Sequence, residues 1–155
     1  MKIITNNRLD LEQKRQILQL WNNEYPEKLA YKNLEGFENY LEKLHNVNHF
    51  LLTDNEEIHG WAITFIRDSE IWFAIILSGN IHGEGWGTKM LNELKRNKTE
   101  LNGWVIDHNN DKKINGEFYK SPLEFYLKNE FKVLSDVRLE LEIMSAVKIK
   151  WTKTI

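Results

Sequence analysis

Cysteine is absent from this chain of 155 residues. Its absence excludes disulfides, thiolate zinc sites and cysteine nucleophiles together. It agrees with a reducing compartment, and a cytoplasmic location is the expectation. Long apolar runs are also missing. The longest, Ile71 to Leu77, suits a buried strand and falls well short of the ~18 residues that span a bilayer. Residues 1–10 carry no apolar h-region, so no signal peptide is expected. Neither sign of charge dominates, with 21 basic and 23 acidic residues and a net charge of −2. The basic residues are spread along the chain, whereas nucleic-acid binders gather theirs on one face or stripe. Neither a nucleic acid nor a membrane is expected as partner.

What is present is a core supply. Apolar residues make up 41% of the chain, including six Trp, five Tyr and seven Phe. The length fits one domain over 1–155. A domain of this size buries roughly 70% of its unfolded surface, so it needs no metal or disulfide to fold. The remaining histidines His45, His49 and His59 lack metal-site spacing. No G-x-S-x-G nucleophile elbow occurs.

Periodicity orders the elements. Lys2 to Thr5 reads as a strand. Asp10 and Gln13 form a capping box for a helix with Leu11, Leu18, Trp21 and Tyr25 on one face, stopped by Pro26. Asn33 caps a second helix with the stripe Leu34, Phe37, Leu41 and Leu44. Three strands follow as a meander: Phe50 to Thr53, a period-two segment around Trp61, Ile63 and Phe65, and Ile71 to Leu77. A Gly-rich stretch from Ser78 leads into a helix over Trp86 to Asn97 with Met90, Leu91 and Leu94 inward. Trp104 to Ile106 is a strand, and Asn109 to Lys120 a polar loop. Ser121-Pro122-Leu123-Glu124 carries three helix-start signals, for a helix ending near Phe131. Lys132 to Leu134 and Arg138 to Ile149 close the chain as strands. The order β-α-α-β-β-β-α-β-α-β-β predicts a mixed α/β domain with a largely antiparallel sheet.

His82-Gly83-Glu84-Gly85-Trp86-Gly87-Thr88 joins a buried strand to a helix. Alternate glycines let backbone turn tightly and approach a ligand. The helix start offers unpaired N–H groups and a positive dipole end, which together suit a phosphate. The same sequence also reads as a plain flexible turn. A Walker A loop fits poorly because Thr88-Lys89 follows Gly87 in the wrong order. The dinucleotide fingerprint fits poorly: the spacing is G-x-G-x-G, mid-chain, although Asp107 lies at about the expected ~20 residues beyond.

This loop resembles the acetyl-CoA motif of the GNAT N-acetyltransferase superfamily, Arg/Gln-x-x-Gly-x-Gly/Ala, at His82, Gly85 and Gly87. Phe125-Tyr126-Leu127-Lys128-Asn129-Glu130-Phe131 resembles the family's Phe-Tyr-x-Lys-x-Gly-Phe segment. Val105 to Asn109 is similar to its Val-x-x-x-Asn stretch. The chain departs from the pattern at His82 and at Glu84, an acid in a pyrophosphate loop. It departs again at Glu130, which replaces a helix-ending Gly, so Asn129 is expected to take the left-handed turn.

The resemblance implies a fold with splayed fourth and fifth strands and acetyl-CoA as cosubstrate, with no metal. It implies direct attack by the amine of a small molecule or peptide in a ternary complex, by a monomer or homodimer. Coenzyme contacts would come from Ile76, Leu77, Ser78, His82, Gly83, Glu84, Gly85, Trp86, Gly87, Thr88 and Asn109, with an oxygen donor among the backbone N–H groups of Ile75 to Ser78. Tyr126 would protonate the departing thiolate and also touch the coenzyme. The base would be Glu70, with Asp107 and His108 as rivals. Two alternatives stay open: an acyl-CoA sensor without turnover, and a structural domain that has lost the coenzyme. Trp21, Trp61, Trp72 and Trp104 read as core or pocket wall, and the loop Asn110 to Lys120 as a wall of the acceptor site or a solvated insertion.

Overall fold

The computed structural model describes residues 1–154. One seven-stranded sheet runs through it, in the order β1-β2-β3-β4-β5-β7-β6. Its strands are β1 Lys2–Asn6, β2 His45–Asp54, β3 Glu57–Arg67, β4 Glu70–Leu77, β5 Glu100–Val105, β6 Lys132–Leu141 and β7 Met144–Thr152. The helices are α1 Leu11–Glu24, α2 Leu34–Glu42, α3 Trp86–Lys95 and α4 Leu123–Lys128. No helix among the described residues is long and apolar enough to cross a membrane.

Every strand contact is antiparallel except β4 with β5. Those two meet at a single register pair, Trp72 and Asn102, and then splay apart toward their C-terminal ends. Gly103 is needed at the root of this gap. A Cβ there would lie 2.8 Å from the Phe73 ring, which leans across from β4.

The sheet carries a core on each face. One face packs Phe50, Leu52, Phe73, Leu101, Val105 and Ile149 against Met90, Leu91 and Leu94 of α3 and Tyr126 of α4. The other packs Leu51, Trp61, Ile63, Trp72 and Ile76 against Ile17, Leu20 and Trp21 of α1 and Phe37 of α2. Period-two alternation in the strands explains the division.

Both early helix starts are as the sequence predicts. Asp10 and Gln13 close a capping box, and Asn33 accepts from the Gly36 N–H at 3.0 Å. Four expectations need correction. First, Pro122, not Ser121, occupies the N-cap of α4, and that helix ends at Lys128 rather than near Phe131. Second, the left-handed residue after it is Glu130 (φ 71°), not Asn129, because the Asn129 side chain is held by the Phe125 carbonyl at 2.8 Å. Third, Arg138 belongs to β6, and the last hairpin turns after Leu141. A bulge between Leu134 and Arg138 interrupts the register without ending the strand. Fourth, β5 begins at Glu100, with its buried Asn102 hidden in the hydropathy pattern by its polarity.

Candidate active site at the strand gap

The gap between β4 and β5 exposes backbone. Ser78 donates its N–H to His59 on β3 at 2.8 Å, and strand alternation gives Ile76 the same direction. Ile71 faces the other way, its carbonyl accepting from Asn102 Nδ2 at 3.0 Å. By the same alternation the N–H groups of Ile75 and Leu77 face β5, beyond the last residue where β5 pairs. The donors expected within Ile75 to Ser78 therefore narrow to Ile75 and Leu77. Ile76 and Ser78 spend theirs inside the sheet.

The Gly loop lies at the mouth of this gap. Ser78 Oγ accepts from Asn80 N–H at 3.3 Å and starts a 3-10 turn over Gly79–Ile81. Gly83 and Gly85 both have positive φ, 81° and 86°, a region that side chains rarely adopt. Nothing lies within 4 Å of a Cβ built at either, so the space above them is open. Gly85 is the N-cap of α3 and caps it with no side chain. The first-turn N–H groups of Trp86, Gly87 and Thr88 are thus left to an outside acceptor. Gly87 serves packing instead: a Cβ there would approach Phe125 to 2.8 Å. Glu84 is exposed. His82 does not reach toward the loop's centre. Its Nε2 lies 3.1 Å from the Leu77 carbonyl, so the ring donates there and ties the loop back to β4. No guanidinium or amide stands at that position, and a phosphate here would rest on backbone N–H groups and the α3 dipole.

Tyr126 of α4 packs into the same core face as α3. Its ring packs edge-on to Phe73 (5.7 Å), Phe125 (5.2 Å) and Phe131 (5.4 Å). Burial, and then the neighbouring Tyr119, push its phenol well above the usual range, so it stays protonated as a donor. Burial also raises Tyr25, with Tyr119 and Tyr126 adding to the shift, and pushes Tyr119 up. Tyr25, the C-cap of α1, packs against Tyr119 at 6.4 Å. Three phenols from α1, the long loop and α4 therefore converge here.

The long loop is tied down as a strap on one side, through Asp111 and Lys113, while residues 114–118 are exposed. After β5 it crosses to the end of α1, where Glu27 N–H donates to the Lys112 carbonyl at 2.9 Å and Pro26 bridges Lys113. Lys28 pairs with the buried Asp111 at 3.3 Å. Asn109 closes its base by accepting from Ser121 N–H at 2.7 Å.

The three candidate bases are already engaged. Lys148 and Lys150 take the two oxygens of Glu70 at 2.9 and 3.3 Å, and the Lys148 hydrogen bond leads in holding that carboxyl below its usual range. Glu70 also stands at the far end of β4, five residues and roughly 16 Å of strand from Ile75. Arg138 grips Asp107 with two nitrogens at 2.8 and 3.0 Å and likewise lowers it. His108 Nδ1 accepts from Asn110 N–H at 3.1 Å, so its basic lone pair is in use. Each of the three thus has a partner: two lysines for Glu70, Arg138 for Asp107 and the Asn110 N–H for His108.

Glu24, Tyr25, Lys113 and Tyr119 were not singled out by sequence as site residues. Only Glu24 left a trace there, as an acid in a helix's last turn, where the dipole disfavours it. Among the described residues no group of three or more His, Cys, Asp or Glu is gathered for a metal.

No family model matches the chain, and no curated protein does. Solved structures match throughout their length. An aminoglycoside 6'-N-acetyltransferase complexed with coenzyme A is 16% identical, with a TM-score of 0.73 over 98% of this chain and 97% of that one. The aminoglycoside 6'-N-acetyltransferase from Enterococcus faecium is also 16% identical (TM-score 0.71, 98% and 97% covered). The ribosomal-protein-S18-alanine N-acetyltransferase from Escherichia coli is 14% identical (TM-score 0.66, 99% and 96% covered). The chain has the GNAT acyl-CoA N-acyltransferase fold.

Proposed function

We propose that this chain, as one domain, is an N-acetyltransferase that moves an acetyl group from acetyl-CoA to the amine of a small molecule or peptide, both bound together. One observation carries the reading. The N–H groups of Ile75 and Leu77 face the gap beyond the last β4–β5 pair, Leu77 packs at Gly87 in the first turn of a helix capped only by Gly85, and the buried Tyr126 ring packs on Phe73 of the same strand. Acetyl-CoA supplies the activated acetyl group as a thioester. The α3 start and the loop Gly83 to Thr88 hold its pyrophosphate through backbone N–H groups. Ile75 or Leu77 N–H stabilises charge developing on the acyl oxygen. Tyr126 donates its proton to the departing sulfur. Tyr25 and Tyr119 wall the acceptor side beneath the strap. The amine's proton leaves to solvent, since Glu70, Asp107 and His108 have partners of their own, and Tyr126 regains a proton from solvent before the next turnover.

The engaged carboxylates also favour a second reading, an acyl-CoA sensor without turnover. A panel of primary amines with acetyl-CoA, read by free thiol released, separates the two. The transferase reading expects thiol release with at least one acceptor, at a rate rising about tenfold per pH unit below that amine's pKa. Coenzyme binding with no turnover on any amine contradicts it and establishes the sensor.

A further inference from the structure

Glu24 is the last residue of α1, where helix carbonyls already carry partial negative charge and no basic side chain stands in the final turn. A carboxylate is disfavoured there, yet this one is mostly buried and takes two partners. Oε2 accepts from the backbone N–H of Gly79 at 3.0 Å. Oε1 lies 3.4 Å from Lys113 Nζ. The side chains are only 16% and 18% exposed. Gly79 opens the 3-10 turn that leads from β4 into the coenzyme loop, whereas Lys113 belongs to the strap. One carboxylate thus joins the two.

The charges give this junction a direction. A pyrophosphate bound at the Gly loop and a carboxylate at the turn that leads into it repel each other. Lys113 neutralises that carboxylate. Displacing the strap separates Lys113 from Glu24 and leaves a bare negative charge beside the coenzyme loop. We propose that Glu24 is a positioning residue through which the strap sets acetyl-CoA affinity, so that strap closure and coenzyme binding favour each other. The inference rests on the acetyl-CoA reading above. Reciprocity follows: whatever acceptor holds the strap down tightens acetyl-CoA by the same factor.

Acetyl-CoA titration calorimetry on four full-length proteins tests this: wild type, Lys113→Met, Glu24→Gln and the double variant. Lys113→Met removes the charge that offsets Glu24 and is expected to weaken acetyl-CoA about fivefold, at the low end of ordinary couplings. Glu24→Gln keeps an oxygen for Gly79 and removes the charge, so alone it holds or improves affinity. In the double variant it restores affinity to near wild type. A merely structural Lys113 gives no such rescue, because the amide cannot repair a lost strap contact. Unchanged affinity in Lys113→Met, or a loss that Glu24→Gln fails to reverse, overturns the coupling alone. A wild-type protein that binds no acetyl-CoA overturns the underlying reading and the coupling with it.

Discussion

Trp61 donates its indole N–H to Nδ1 of His49 at 3.0 Å, and that bond fixes the imidazole proton on Nε2. Protonating Nδ1 would set two donors against each other. Burial first, and nearby Lys14 second, push this histidine down from 6.5 to about 4. The unfolded chain therefore gains a proton near pH 6.5 while the folded protein does not, so stability falls as pH drops through that range. Denaturant titrations at pH 7.5 and 5.0 are expected to differ by about 2 kcal/mol. His49→Phe should flatten the difference, and an equal pH effect in that variant would remove His49 as its source. At the gap, Tyr126→Phe deletes one hydroxyl and keeps a ring packed among Phe73, Phe125 and Phe131. Turnover should fall by ~10-fold or more with acetyl-CoA affinity little changed, because proton delivery strengthens only as charge develops. Full activity in that variant would refute the assignment.

The loop and helix glycines do different jobs, and substitutions separate them. Gly87→Ala drives a methyl to 2.8 Å from Phe125, so thermal denaturation should show a loss of about 1–3 kcal/mol. Gly85→Ala meets open space but keeps a φ of 86°, costing about 1 kcal/mol of backbone strain. If Gly87→Ala is the milder change, Phe125 is not packed as described. Most elements were legible because capping residues and strand alternation act locally: Asp10, Asn33 and the run Ile71 to Leu77 each declare themselves. The misplaced boundaries were set by distant partners. Asn102 is buried by its bond to Ile71, and β6 continues through its bulge because β7 pairs with it on both sides.

At the scale of the molecule, the gap exists because β4 and β5 run parallel and meet at one pair while every other neighbour is antiparallel. The Gly loop and Tyr126 were legible through their local pattern. The strap's attachment to α1, and the convergence of Tyr25, Tyr119 and Tyr126, were not, since residues about 90 apart meet only after the sheet has formed. Sequence separations of 78 and 31 residues likewise hid the ion pairs Glu70–Lys148 and Asp107–Arg138, which occupy the expected bases. Everything functional in this account depends on coenzyme occupying the open space above Gly83 and Gly85. The direct measurement is calorimetric titration of acetyl-CoA into wild type and into Gly85→Glu, whose Cβ would meet nothing within 4 Å and whose carboxylate would repel the pyrophosphate. The account predicts saturable binding, with a matching rise in melting temperature, in wild type, and none in a folded Gly85→Glu. Equal binding by both proteins would contradict it.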